Sequence, residues 1–299
     1  MTDFAFTRKQ FLLLAFLTLS WGLNWPVMKV GVTGFPPLFF RTLSMWVGLP
    51  VLAGVLATRR VPFAIARADW PELVKLSFTN MIVWHVLAIL AVQALSSGRA
   101  AILGYTMPIF SALWGVAMFG ERLRPRQLGG IAAAGVGVLL LLWHELAHFA
   151  GRPLAALGML FAAAVWALGT QQLRHTRIAA PTLAIVFWMT LVTTLAMTLF
   201  AVVFEHARWI APSSKTWAAV GYNAVLIFGF AQAVWLVLAR NLPPVASTMS
   251  VMLIPVLGTL SGAWWLGERL HWQDGAAIVL MLVAIAAVMW PARAAPQRA

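Results

Sequence analysis

The stretch 104–123 reads GYTMPIFSALWGVAMFGERL, and the stretch 251–270 reads VMLIPVLGTLSGAWWLGERL. Laid in one register, Pro108 meets Pro255, Leu113 meets Leu260, Gly115 meets Gly262, and the two GERL tetrads coincide without a gap. Leucine matches are cheap in an apolar chain. A proline, a glycine and a charged tetrad in one register are not. The chain holds only 8 acidic residues in 299, and two of them, Glu121 and Glu268, stand in this repeated word. A second echo pairs Trp21 with Trp166 at nearly the same spacing. The chain therefore reads as two copies of one unit.

The solvent for both copies follows from composition. The chain is 62% hydrophobic and 10% charged, with a mean hydropathy of +0.87. A soluble domain carries roughly 25% charged residues, so this is an integral membrane protein. The apolar residues form long runs, which specifies spanning helices; a barrel would show short alternating segments. There is no cysteine, which excludes disulfides and thiolate metal sites. The net charge of +13 belongs to membrane topology. No basic cluster with interleaved aromatics lies outside the membrane-flanking loops, so nucleic acid is not an expected partner. The start of the chain, TRKQFLLLAFLTLSWGLNW, resembles a secretory signal but has no small-residue cleavage site. It reads as a retained first helix.

Ten apolar segments fall near 10–29, 36–57, 73–94, 98–118, 126–143, 155–173, 182–204, 216–238, 244–265 and 273–290. Each is long enough for a hydrocarbon core of ~30 Å. The expected fold is an all-α membrane protein of ten transmembrane helices. Residues 10–143 form the first five-helix repeat, and residues 155–290 the second. Residues 1–9 and 291–299 are short tails. Placing the N-terminus inside puts 14 Lys and Arg on cytoplasmic segments and 6 on outer ones, with Arg41 within a span. That bias predicts both termini in the cytoplasm. Five is odd, so the second copy must enter upside down, the inverted-repeat arrangement that places a substrate near the midplane between halves.

These features resemble the EamA-type families of the drug/metabolite transporter superfamily. There each repeat closes its fourth helix with a proline, small residues and a GE turn. SWGLNWPVMKVG (20–31), NMIVWH (80–85) and ILGYTMPIFSALWGVAMFGERL (102–123) look closest to the YddG-type bacterial exporters of aromatic and other neutral amino acids. The resemblance implies export of small organic solutes, amino acids first, through a bacterial inner membrane by alternating access. It implies no cofactor and no enzymatic activity, and a monomer is compatible with it.

Polar groups inside such a bundle are expensive unless they line water, a partner or a substrate. On the first helix Trp21, Asn24, Trp25 and Met28 share one face by their spacing, matched on the sixth by Trp166, Gly169 and Thr170. The third helix offers Asn80, Trp84 and His85, and the fourth Tyr105 and Thr106. The eighth offers Tyr222, Asn223, Gln232 and Trp235, and the ninth Ser247, Thr248 and Ser250. From these the expected substrate-binding set is Trp21, Asn24, Trp25, Asn80, Trp84, His85, Tyr105, Trp166, Gln232 and Ser250. Aromatic faces would hold an ammonium, and Asn, Tyr and His would bind a carboxylate. The plainer role of many of the 16 Trp is interfacial belt or helix packing.

Pro108 and Pro255 are expected to break their helices mid-span and act as paired hinges. The tetrad residues Glu121, Arg122, Glu268 and Arg269 read as helix termini, each a candidate latch for its own side of the membrane. All eight carboxylates fall in tails, loops or helix ends, which argues against a carboxylate proton relay and leaves His85 as the mid-span titratable group. Arg41, close behind Pro36 and Pro37, is expected either to reach out to the headgroups, the favoured case, or to meet a substrate carboxylate. With no other cation in the spans, phosphorylated substrates rank low. Apolar or quaternary-ammonium drugs form the alternative cargo. HELAH at 144–148 raises an enzyme alternative, an intramembrane zinc protease using His144, Glu145 and His148, with Glu205 or His206 as third ligand. Its place at a helix end favours a solvated terminus instead.

Overall fold

The computed structural model describes residues 8–120, 123, 125–147, 152–231, 234 and 244–289. Among these residues there is helix and no strand. The helices are α1 (Arg8–Val32), α2 (Pro37–Thr58), α3 (Trp70–Ser77), α4 (Val83–Ala94), α5 (Ser97–Gly104), α6 (Met107–Phe119), α7 (Pro125–Ala147), α8 (Pro153–Arg174), α9 (Thr182–Glu205), α10 (Ser214–Tyr222), α11 (Pro244–Leu266) and α12 (Trp272–Met289). A π-helical stretch, Phe78–Ile82, joins α3 to α4, and a second, Asn223–Ala231, continues α10. Counting α3 with α4 and α5 with α6 gives the ten passes in the expected order. Six helical segments are long and apolar enough to cross a membrane, and Pro125–Leu141, Leu253–Leu266 and Trp272–Ala287 are shorter apolar helices.

Local chemistry explains several boundaries. Pro36 and Pro37 open α2 where a missing N–H costs nothing. Ser96 Oγ accepts from Arg99 N at the start of α5, and Ser213 Oγ from Thr216 N at the start of α10. The GERL glycines act as the sequence suggests. Gly120 and Gly267 both stand at φ +67°, the left-handed turn that ends a helix. Threonines survive inside α9 because their hydroxyls are satisfied within it. Thr190, Thr193, Thr194 and Thr198 each donate to the carbonyl four residues earlier at 2.7 Å.

The packing of one half is echoed in the other. The first span lies along the ninth (α1 on α11), and the sixth lies along the fourth (α8 on α5 and α6). The third meets the sixth as the eighth meets the first. The second meets the eighth as the seventh meets the third. The second and seventh, fourth and ninth, and fifth and tenth spans pair with each other. The π stretches obey the same relation, since each follows the opening helix of the third span of its half. Close approach is achieved with small residues, as membrane helices require. A Cβ on Gly22 of α1 would stand 2.6 Å from Leu257 Cβ of α11.

Large apolar side chains point outward all round the bundle. Leu154 is 83% and Leu139 65% exposed, which lipid tolerates and water would not. Trp143, Trp209, Trp217, Trp264, Trp265 and Trp272 are also exposed. They gather at the end that the Lys/Arg count predicts to be outer, where an aromatic belt is expected.

Candidate functional site

Polar anchors tie the predicted outer end together. Lys29 Nζ, at the end of α1, donates to the carbonyls of Val92, Gln93 and Leu95 at 2.9, 2.9 and 2.7 Å. It thereby satisfies the free carbonyls that close α4. Across the same turn Glu268, in the second GERL word, caps α5. Its Oε1 accepts Ser97 N–H at 2.7 Å, and its Oε2 accepts Ser97 Oγ–H at 2.9 Å and Gly98 N–H at 3.3 Å. A cation thus seals one helix end and an anion the next helix start. Arg99 Nε pairs with the buried Asp274 at 2.9 Å. Glu205, 1% exposed, accepts Phe39 N–H of α2 at 2.9 Å and pairs with Arg208 at 3.3 Å. Of the four tetrad residues, Glu268 makes this capping contact and Arg269 is exposed. Glu121 and Arg122 lie outside the described residues.

Below this seal the fourth span breaks. α5 ends at Gly104, Tyr105 and Thr106 form a turn, and α6 starts at Met107. The expectation for Pro108 needs correction here. Pro108 occupies the first turn of α6, where an N–H has no intrahelical partner, so the break is made at Tyr105 and Thr106 and not by a lost mid-helix bond. Pro255 does lie inside a continuous helix, α11. The two matched prolines therefore occupy different local structures.

Several predicted site residues converge on this break. A Cβ on Gly104 would meet Trp25 Cη2 and Trp84 Cη2, each at 3.1 Å, and Met159 Cε at 2.7 Å. Trp25 crosses Tyr105 edge-on with ring centroids 6.5 Å apart, and Trp84 lies 6.2 Å from Trp166. From the other half, Gly258 of α11 approaches Trp25. Asn24, Trp25, His85 and Tyr105 are buried, and Trp21 and Trp84 pack against the same core. The buried Asn24 Oδ1 and His85 Nδ1 have no hydrogen-bond partner among the described residues. Asn80 stands apart, toward the other end. It sits in the first π stretch and donates to Thr170 Oγ1 at 3.2 Å. Gly169 presses so close that a Cβ there would stand 2.7 Å from Asn80 N. Gln232 lies outside the described residues, and Ser250 lies in α11 with its side chain outside them.

Of the two placements expected for Arg41, the structure overturns the favoured one. The side chain does not reach the headgroups. It is 3% exposed and turns into the bundle between α1, α2 and the second π stretch. Nη1 donates to Asn223 Oδ1 at 3.2 Å, and Nη2 to Met28 Sδ at 2.7 Å. Its guanidinium carbon lies 5.9 Å from the centroid of the Phe228 ring, and His85 approaches that ring at 5.6 Å. The low rank given to phosphorylated substrates assumed a peripheral Arg41 and falls with that assumption. The available signal was that Arg41 alone among the cations stands more than a few residues inside a span; the two prolines before it suggested a rim position.

The zinc-site alternative gains no support from placement. His144 and Glu145 fall in the last turns of α7 with side chains outside the described set, and His148 lies outside the described residues. Glu205 is occupied by Phe39 and Arg208. No cluster of three metal-ligating side chains occurs among the described residues.

Comparison with known proteins settles the family. The model of the EamA-like transporter family matches the chain twice, over residues 8–143 and 153–290. The chain belongs to the EamA-like transporter family. It is 28% identical over 295 residues to a "Probable amino-acid metabolite efflux pump" of Salmonella typhimurium, covering 93% of this chain and 94% of that protein. It is 26% identical over 272 residues to the "Uncharacterized transporter YoaV" of Bacillus subtilis, covering 88% and 89%. A crystal structure 22% identical in sequence superposes with a TM-score of 0.69, covering 94% of this chain and 96% of the other, and so shares the fold. The all-helical ten-pass architecture is that of the family, a multi-pass membrane transporter.

Proposed function

We propose that this chain exports amino acids, aromatic and other neutral ones, from the cytoplasm across a bacterial inner membrane by alternating access between two opposed five-helix halves. Both termini lie in the cytoplasm on this reading. The observation that carries it is the convergence of Trp25, Trp84 and Tyr105 on Gly104, with Trp166 alongside, at the break in the fourth span. Residues of both repeats meet there, so a rocking of one half against the other would remake the site. Aromatic faces attract an ammonium by about 1–2 kcal/mol each, enough to select a solute and weak enough to release it. The name of the Salmonella relative supports the same cargo. The exchange of packing partners between halves supports the inverted arrangement.

The described carboxylates lie at helix ends and loops, so the substrate's own gradient is the proposed driving force. A zwitterion carries no net charge across the membrane potential. Apolar or quaternary-ammonium drugs are the second reading, favoured by the same aromatic faces and opposed by the buried Arg41. Competition in proteoliposomes separates the two. Aromatic and neutral amino acids are expected to inhibit flux of a labelled amino acid, and tetraalkylammonium ions are not. Flux of a labelled quaternary ammonium compound that amino acids leave untouched refutes the proposal.

A further inference from the structure

The amino-acid reading leaves a buried cation unexplained. Among the described residues no carboxylate lies within ion-pair distance of Arg41. Glu72, Glu205, Glu268 and Asp274 are bonded elsewhere, to Thr176, Phe39, Ser97 and Arg99 respectively. A buried guanidinium costs several kcal/mol of desolvation unless it is paired and fully hydrogen-bonded. Among the described residues Arg41 has one amide oxygen and one thioether sulfur as acceptors, and its buried Nε has none. A thioether is a weak acceptor. An arginine kept for packing alone would be served better by a carboxylate, or replaced by an apolar residue. The neighbours that could respond to a ligand are also short of partners: His85 Nδ1 beside the shared Phe228 ring, and Asn24 Oδ1. Asn24 lies one helical turn from Met28, on the same face of α1, and Met28 Sδ is in direct contact with Arg41.

We propose that Arg41 is the carboxylate subsite of the exported solute, and that Asn24 Oδ1 faces the solute's ammonium one turn away on α1. The inference rests on the amino-acid reading above and narrows it. The preferred substrates carry a free carboxylate beside an ammonium, and a solute that is only cationic is rejected by the Arg41 charge. The second π stretch fits this role, since it presents Asn223 and Phe228 to the guanidinium and so fixes its fork. π-helical interruptions recur at functional sites for this kind of displacement. Arginine suits the task because its planar fork matches two carboxylate oxygens.

The test uses the full chain in proteoliposomes, with labelled phenylalanine as flux probe. Unlabelled phenylalanine, its α-carboxamide and its decarboxylated amine serve as competitors. In the wild type phenylalanine is expected to compete at least tenfold better than the amide or the amine. In Arg41→Gln, which keeps a donor for Asn223, that ratio falls below about threefold, because the carboxylate has lost its partner. Each variant is first required to elute as a single species with a melting midpoint near that of the wild type. Should Arg41→Gln not meet that condition, Arg41→Lys is measured in its place; it keeps the charge without the fork, and the ratio is expected to drop at least threefold. A wild type indifferent to the carboxylate overturns the inference, as does either variant that keeps the full ratio. If neither phenylalanine nor its analogues compete with anything the protein carries, the amino-acid reading itself has failed, and the inference fails with it.

Discussion

Replacing Glu268 by glutamine is expected to loosen the predicted outer end of the bundle without unfolding it. The carboxylate accepts three bonds at the start of α5, from Ser97 N, Ser97 Oγ and Gly98 N. Glutamine keeps one oxygen for Ser97 N–H. Its amide nitrogen then faces the Ser97 hydroxyl, which can turn to accept, and Gly98 N–H, which cannot. The variant loses the charge and leaves one helix-start donor unmet. Bonds to a charged group are worth about 1.5–3 kcal/mol, and partial exposure at this rim reduces the loss to about 1–2 kcal/mol. If the Glu268–α5 contact holds that end shut, the open population rises about 5- to 30-fold. The chain has no cysteine, so a single cysteine at Ala101, fully buried on α5, reports opening through its maleimide labelling rate in nanodiscs. The E268Q background should label about 5- to 30-fold faster, with a monodisperse protein in both cases. A labelling rate within twofold of the parent refutes the latch.

Three further substitutions probe the middle of the fold. Gly169→Ala would place a Cβ 2.7 Å from Asn80 N and 2.8 Å from Asn80 Cα, so backbone must move to admit it. A loss of about 1–3 kcal/mol in thermal stability and a slower flux are expected, and an unchanged melting midpoint in detergent would contradict this contact. The prolines should separate rather than behave as a pair. Pro255→Ala restores a hydrogen bond inside α11 and should slow flux several-fold. Pro108→Ala, in the first turn of α6, should change flux by less than about twofold. Equal effects at both positions in a proteoliposome efflux assay would refute the asymmetry.

Much of this architecture is legible because lipid allows few alternatives. Ten apolar runs, a Lys/Arg bias and one duplicated word lead to ten passes in two related units, and the GERL glycines take the same φ in both copies. The α1 face was legible from spacing alone, since Trp21, Asn24, Trp25 and Met28 recur with the helical period. What escaped were departures from that period. The π stretches at Phe78–Ile82 and Asn223–Ala231 carry no proline or glycine signal at their starts, and they rotate the side chains that follow. The inward turn of Arg41 was not the favoured placement because local spacing near Pro36 and Pro37 gives depth along a helix but not the direction in which a long side chain runs. Pro108 was misjudged for a similar reason: a proline looks alike in sequence whether it interrupts a helix or begins one.

The central claim is that the solute's own gradient drives amino acids through this chain. Efflux of labelled phenylalanine from preloaded proteoliposomes, with and without an imposed pH gradient, tests it directly. The account predicts efflux that depends on protein, saturates with the internal amino acid and proceeds at the same rate when the pH on both sides is equal. Efflux that stops without a pH gradient, or accumulation against the phenylalanine gradient when one is imposed, would contradict it.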